Sequence, residues 1–134
     1  KKYKALITGE MTELMAHAIF KQPIGRDLSS IIKRQVTIAG QSAETEYWLA
    51  KKNHEVALVD IQLHTGRTHQ IRVHFSANGH PLIGDELYGG RMDLGIERQA
   101  LHCFDLKFTH PFTQEQLHFQ QPLPADMEAI QRIL

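Results

Sequence analysis

Thr65-Gly66-Arg67-Thr68-His69-Gln70-Ile71-Arg72-Val73-His74-Phe75-Ser76-Ala77-Asn78-Gly79 is the stretch on which the fold turns. By period alone it is a strand, because Ile71, Val73, Phe75 and Ala77 alternate with Arg72, His74 and Ser76. Its punctuation argues for a helix. Thr65 or Thr68 can cap a start, and Asn78-Gly79 is a left-handed stop, so two helix signals bracket the run. A helix is therefore expected here. A Thr-Gly turn at its opening offers free backbone N–H groups and the positive end of the helix dipole to a phosphate, with Arg67 alongside. Arg72, further in, can instead reach into a cleft and hold a carboxylate in a bidentate pair. Cations on a solvated helix face are the plainer reading of both arginines, and spacing alone does not separate the two.

The charge around this stretch is lopsided. The chain carries 15 Lys+Arg against 15 Asp+Glu, yet no acidic residue lies between Asp60 and Asp85, where Arg67, Arg72, His64, His69, His74 and His80 fall. Working outward, Val56 to Leu63 alternates with Ala57, Val59, Ile61 and Leu63 on a fully apolar side that should face a core. Glu44 to Leu49 reads as its partner strand across the polar turn Lys51-Lys52-Asn53-His54. Tyr3 to Ile7 is a short strand ended by Thr8-Gly9. Residues 10–20 read as either helical or extended, with Met11, Leu14, Met15, Ala18 and Ile19 keeping helical spacing, and Pro23, Gly25 and the polar residues after them read as a loop. Leu101 to Thr109 and Gln116 to Phe119 form a hairpin around His110-Pro111-Phe112-Thr113-Gln114. A final helix starts at Pro124, with Asp126 and Glu128 in its first turn and Arg132 near its end, as the dipole prefers.

With 134 residues, 42% of them hydrophobic and 22% charged, the chain is a single globular domain without repeat, linker or low-complexity tract. No apolar run approaches the ~18 residues of a membrane-spanning helix. A lone cysteine, Cys103, fits a reducing compartment, and with no apolar leader after Lys1 the cytoplasm is the expected location. Nine histidines invite a metal, but His69 and His74 stand about 140° apart on a helix and on opposite faces of a strand, so they do not converge on one ion. No H-E-x-x-H and no cysteine cluster exists, and no metal site is expected. Neither Ser76 nor Cys103 sits in a nucleophile motif.

The run Leu63-His64-Thr65-Gly66-Arg67-Thr68-His69-Gln70-Ile71-Arg72-Val73-His74, with Gly79-His80-Pro81-Leu82-Ile83-Gly84-Asp85 and Leu87-Tyr88-Gly89 after it, closely resembles the RluA/RluD-type family of pseudouridine synthases. These isomerise uridine to pseudouridine in large-subunit rRNA and some tRNA. Lys2-Tyr3-x-Ala5-Leu6-x-x-Gly9, Pro23-Ile24-Gly25-Arg26, Gly40-x-x-Ala43-x-Thr45-x-Tyr47, Arg98-Gln99-Ala100-Leu101-His102 and Leu123-Pro124-x-Asp126-Met127 fit as well. The resemblance implies an α+β domain with a mixed, mainly antiparallel sheet and flanking helices. It implies an isomerase that binds RNA and needs no cofactor or metal. In such an enzyme an aspartate attacks the target nucleoside, and the base detaches, rotates and rejoins through C5. By the same resemblance Tyr3 lies against the uracil ring, Arg72 pairs with the catalytic aspartate, Ile71 lines the base pocket, and Arg67 and His69 stand near RNA phosphates.

The family's aspartate belongs to an Arg-Leu-Asp…Thr-Ser-Gly loop upstream of the strand containing Tyr3, and no such run occurs in residues 1–134. The chain is thus expected to be the later portion of a catalytic domain, inactive alone, with no obligatory protein partner evident. Two further expectations follow. Arg72 should be an unpaired cation in the cleft, and a sheet entered at an inner strand should expose an unpaired edge. The alternative is a non-catalytic relative that holds RNA or a protein without chemistry.

Overall fold

The computed structural model describes all 134 residues. Alternating apolar residues build eight strands: β1 (Lys2–Ile7), β2 (His17–Phe20), β3 (Ile24–Arg26), β4 (Arg34–Val36), β5 (Thr45–Lys52), β6 (Ala57–Leu63), β7 (Leu101–Thr109) and β8 (Gln116–Gln120). Two α-helices join them, α1 (Gln70–Ala77) and α2 (Ala125–Gln131). Six strands form one sheet in the order β2-β5-β6-β1-β7-β8, and β3 and β4 make a separate ribbon. Every strand pair is antiparallel. The architecture is therefore the expected α+β one, a large antiparallel sheet with flanking helices.

Register decides which residues meet. Tyr3, Ala5 and Ile7 of β1 stand opposite Ile61, Val59 and Ala57 of β6, and Tyr47 of β5 lies opposite Ile61 on its other side. Because side chains alternate along a strand, these residues share one face. α1 lays Ile71 and Phe75 on it, completing a core with Met11, Leu14 and Leu82. The apolar side of β6 expected from its alternation is this buried face. Burying a side chain such as Phe75 removes apolar area worth about 2–3 kcal/mol from water. Leu6, Val56 and Leu58 point the other way, where Ile83, Ile96, Ala100 and Met127 of α2 cover them.

One open reading is decided and three local expectations change. Residues 10–20 are not helical: Met11–Glu13 make one 3₁₀ turn and His17–Phe20 pair with Thr45–Trp48 as an edge strand. The buried members of the helical pattern, Met11 and Leu14, reach the core from that turn, while Met15 and Ile19 are exposed. The loop after Pro23 contains the β3–β4 ribbon, held to residues 40–41 by mutual hydrogen bonds between Ile24 and Gln41. Neither Thr65 nor Thr68 caps α1; His69 occupies the cap in a left-handed conformation, φ 57°, without a side-chain cap bond. The unpaired inner edge is absent, since β1 bonds β6 on one side and β7 on the other, leaving β2 and β8 as the edges. Asn78-Gly79 ends α1 as expected, with Gly79 at φ 84°.

Candidate active site

The turn before α1 is held by one side chain. Gln70, almost wholly buried, accepts hydrogen bonds at Oε1 from the Arg67 amide (2.9 Å) and the Thr65 hydroxyl (2.7 Å). Its Nε2 donates to the Glu44 carbonyl (2.8 Å) and to Thr45 Oγ1 (3.0 Å), fastening the turn to β5. Thr45 Oγ1 in turn lies 2.7 Å from His74 Nδ1, and His74 Nε2 lies 2.8 Å from the Gln22 carbonyl. A carbonyl only accepts, so His74 carries its proton on Nε2 and receives the threonine hydroxyl at Nδ1. Burial lowers the His74 pKa below its ordinary value and keeps the ring neutral. The arginine amide expected to face a phosphate is therefore spoken for by Gln70.

Beside this turn, Tyr3, Arg67, His69, Ile71 and Arg72 line a single cleft of about 340 Å³, completed by Leu63, Gln70, Gln99 and Leu101. All five residues singled out from the sequence are thus brought together. The volume is near the lower end of small-ligand pockets, about 300–1,000 Å³. Its character is mixed: an aromatic ring, three aliphatic walls, two amides and two guanidinium groups, with no carboxylate among the lining residues. Burial, with the Cys103 thiol as a smaller cause, raises the Tyr3 pKa, so the ring meets a ligand as a neutral phenol.

Arg72 departs from expectation. Its Nε and Nη2 donate to Asp85 Oδ2 and Oδ1 at 2.9 and 2.8 Å, a bidentate pair in which the carboxylate is 1% and the arginine 14% exposed. It is therefore no unpaired cation. The hydrogen bonds to Asp85 raise its pKa further. The Gly84-Asp85 turn needs its glycines to reach this position. A Cβ on Gly84 (φ 76°) would stand 2.1 Å from the Arg98 carbonyl oxygen, and one on Gly90 would stand 2.1 Å from that of Leu82. Arg72 Nη1 has no protein partner, and because no buried side-chain polar atom lacks one, that edge is open to solvent.

Tyr88 is the support that residue-by-residue reading missed. Its ring lies 4.9 Å from the Arg72 guanidinium carbon, and its hydroxyl accepts from the Arg34 amide at 2.9 Å. With that contact made, the hydroxyl donates to His69 Nδ1, 2.6 Å away. Burial first, then the Arg72 and Arg34 charges, lower the His69 pKa, so His69 stands in the cleft wall as a neutral ring. Tyr88 and Asp85 stand in the family-like runs Gly79 to Asp85 and Leu87 to Gly89, but nothing in those runs gave either a place in the cleft. Leu63, Gln99 and Leu101 fit the family-like runs as well but carried no sign of a place in the cleft, because sheet register brings them there at the ends of β6 and β7.

The cleft, with its aromatic ring, aliphatic walls, amides and two guanidinium groups, sits on an antiparallel α+β scaffold. The family profile described as RNA pseudouridylate synthase matches residues 1–77, more than half of the chain, and the chain belongs to that family. It is 48% identical over 131 residues to the uncharacterized RNA pseudouridine synthase YjbO of Bacillus subtilis, covering 97% of this chain and 45% of that protein. It is 41% identical over 147 residues to the ribosomal large subunit pseudouridine synthase D of Vibrio parahaemolyticus, covering 100% of this chain and 44% of that one. The solved human RNA pseudouridylate synthase domain containing 1 superposes with a TM-score of 0.78 at 28% identity, over 92% of this chain and 54% of that one. The chain thus spans about half the length of the relatives it matches or less.

Proposed function

We propose that the chain supplies the uridine-holding part of a pseudouridine synthase active site. The observation that carries this is the convergence of Tyr3, Ile71, Arg72, Arg67 and His69 on one cleft. An extruded uridine gives up its stacking, a few kcal/mol, which the Tyr3 ring and the walls of Ile71, Leu63 and Leu101 offset. Isomerisation breaks the N1–C1′ bond and forms C5–C1′, with one proton lost from C5 and one gained at N1, so no oxidant, metal or cofactor enters the balance. It needs a carboxylate in the cleft, and the nine lining residues provide none. The open Nη1 edge of Arg72 is the place for it, with Asp85 holding the guanidinium from behind.

The substrate we propose is large-subunit rRNA or tRNA, the first supported by the description of the Vibrio relative. The lone cysteine supports the cytoplasm as the place of action. The test assays the full-length protein and the 134-residue chain on rRNA and tRNA transcripts, reading pseudouridine by chromatographic separation of the digested nucleosides from its isomer uridine. The full-length protein is expected to convert uridine without change of mass, and the chain alone to bind RNA without converting it. A full-length protein that binds RNA but forms no pseudouridine makes the binding-only reading correct.

A further inference from the structure

A second hollow of about 330 Å³ lies next to the cleft, between the β3–β4 ribbon and the turn before α1. Arg26, Arg34 and Arg67 line it, and Arg67 also lines the base cleft, so the two share a wall. Of the seven arginines in the chain, Arg72, Arg91, Arg98 and Arg132 each have a carboxylate partner. The three in this hollow take part in no ion pair. Arg34 Nη1 donates only to the carbonyl oxygens of Ile32 (3.1 Å) and Lys33, and Arg67 Nε only to that of Ser42 (2.8 Å); the Arg26 guanidinium makes no hydrogen bond at all.

Arg26 and Arg34 are moreover direct cross-strand partners. Like charges placed opposite each other on a ribbon destabilise it unless something neutralises them. Gly25 and Gly40, which also line the hollow, let the ribbon and the 37–40 segment pack tightly: a Cβ on Gly40 would stand 2.4 Å from the Ile24 carbonyl carbon, and one on Gly25 2.8 Å from Thr37 Cγ2. Three arginines without ion pairs thus line one hollow that has no acidic residue in its wall, the composition that suits a tetrahedral, multiply accepting oxyanion.

We infer that Arg26, Arg34 and Arg67 bind a phosphodiester of the RNA strand next to the nucleoside held in the cleft. The inference rests on the proposed RNA substrate and extends it, because the shared Arg67 wall couples a phosphate seat to the base seat. The three arginines set where the strand lies, and through it how deep the nucleoside enters.

The test uses the full-length protein, a uridine-containing single-stranded RNA and the double variant R26Q/R34Q, with R132Q as a control for loss of charge elsewhere. The double variant is expected to bind RNA at least roughly tenfold more weakly, as for one lost charge-assisted contact. The slope of log affinity against log salt should become shallower by about 0.7, the contribution of one phosphate on a single strand. R26K/R34K should restore the slope, and R132Q should leave both quantities unchanged. Inorganic phosphate is titrated separately, following the arginine Nε–H resonances, with those of Arg26, Arg34 and Arg67 expected to move and that of Arg72 to stay. Wild-type affinity and slope in R26Q/R34Q, with pseudouridine still formed by the parent protein, would overturn the phosphate seat and leave the enzyme reading intact. Phosphate-induced shifts at the three arginines without pseudouridine formation would do the reverse.

Discussion

Replacing Asp85 with alanine removes a carboxylate that is 1% exposed and strands a guanidinium that is 14% exposed. Breaking a buried pair from one side costs about 3–5 kcal/mol, because the surviving charge loses its partner without regaining water. Arg72 keeps one edge in solvent and rests on the Tyr88 ring, so the lower end applies, about 3 kcal/mol. For a domain of 134 residues that is a fall in Tm of about 10 °C. Urea unfolding of the wild type, Asp85→Ala, Arg72→Met and the double variant measures the coupling directly. A coupling of about 2 kcal/mol or more is expected, with the double variant less damaged than the sum of the singles. Asp85→Asn should fall between, since its amide oxygen still accepts one N–H while its NH₂ meets the second donor head-on. A loss below about 1 kcal/mol in Asp85→Ala, with coupling near zero, would show that the bidentate pair does not fix Arg72, and would remove the argument that its open edge is aimed.

Tyr3→Ala should weaken uridine-containing RNA by roughly 5- to 150-fold, the about 1–3 kcal/mol of one base stacked on an aromatic ring, while Tyr3→Phe stays near wild type; equal binding by all three in a fluorescence titration would take Tyr3 off the base. Gln70→Ala leaves the Arg67 amide without a partner, while the Glu44 carbonyl keeps the His64 amide, for a loss of about 1–3 kcal/mol, and hydrogen exchange at the Arg67 amide should accelerate sharply; unchanged exchange would refute the strut. Stability should fall as pH drops below about 6.5, the unfolded histidine value, because the folded pKa values of His69 and His74 are lowered and only the unfolded chain takes up those protons. The carboxylates with lowered pKa, Glu46 and Asp105 among them, lose their contribution only below about pH 4.5, so urea midpoints between pH 5 and 7.5 isolate the histidines. A flat midpoint across that range would contradict the buried, neutral His74.

What could be read in advance divides along a physical line. The strands at β5 and β6 and the helix over 70–77 were legible because each buries one face, and burial writes itself as period and punctuation, whereas the β7–β8 hairpin, largely exposed in β8, was legible from the turn residues His110 to Gln114. The segment 10–20 stayed open between helix and strand because its apolar spacing serves two purposes at once. Met11 and Leu14 plug the core from a single turn, whereas Ala18 and Phe20 pack from an edge strand, and the sum imitates a helix. Site residues on the turn and α1 were legible for a different reason: Arg67, His69, Ile71 and Arg72 lie within six consecutive positions. Residues that meet them only through sheet register, such as Gln99 and Leu101, fit a family-like run but gave no sign of a place in the cleft, since nothing near residue 100 records that β7 lies beside β1. Asp85 shows the deeper limit. A Gly-Asp turn has a sufficient local explanation, so its sequence gives no reason to look for a buried cation 13 positions earlier. Yet the pair has a consequence for chemistry. A guanidinium already neutralised from behind can accept a second carboxylate at Nη1 without being drawn out of place, and the pKa of that second group then depends on how firmly Asp85 holds the first. Asp85→Asn should therefore shift the pH profile of uridine conversion in the full-length protein toward lower pH, because Arg72 freed of one partner lowers the pKa of the other. A profile that keeps its midpoint while the rate falls would mean Asp85 serves the fold alone.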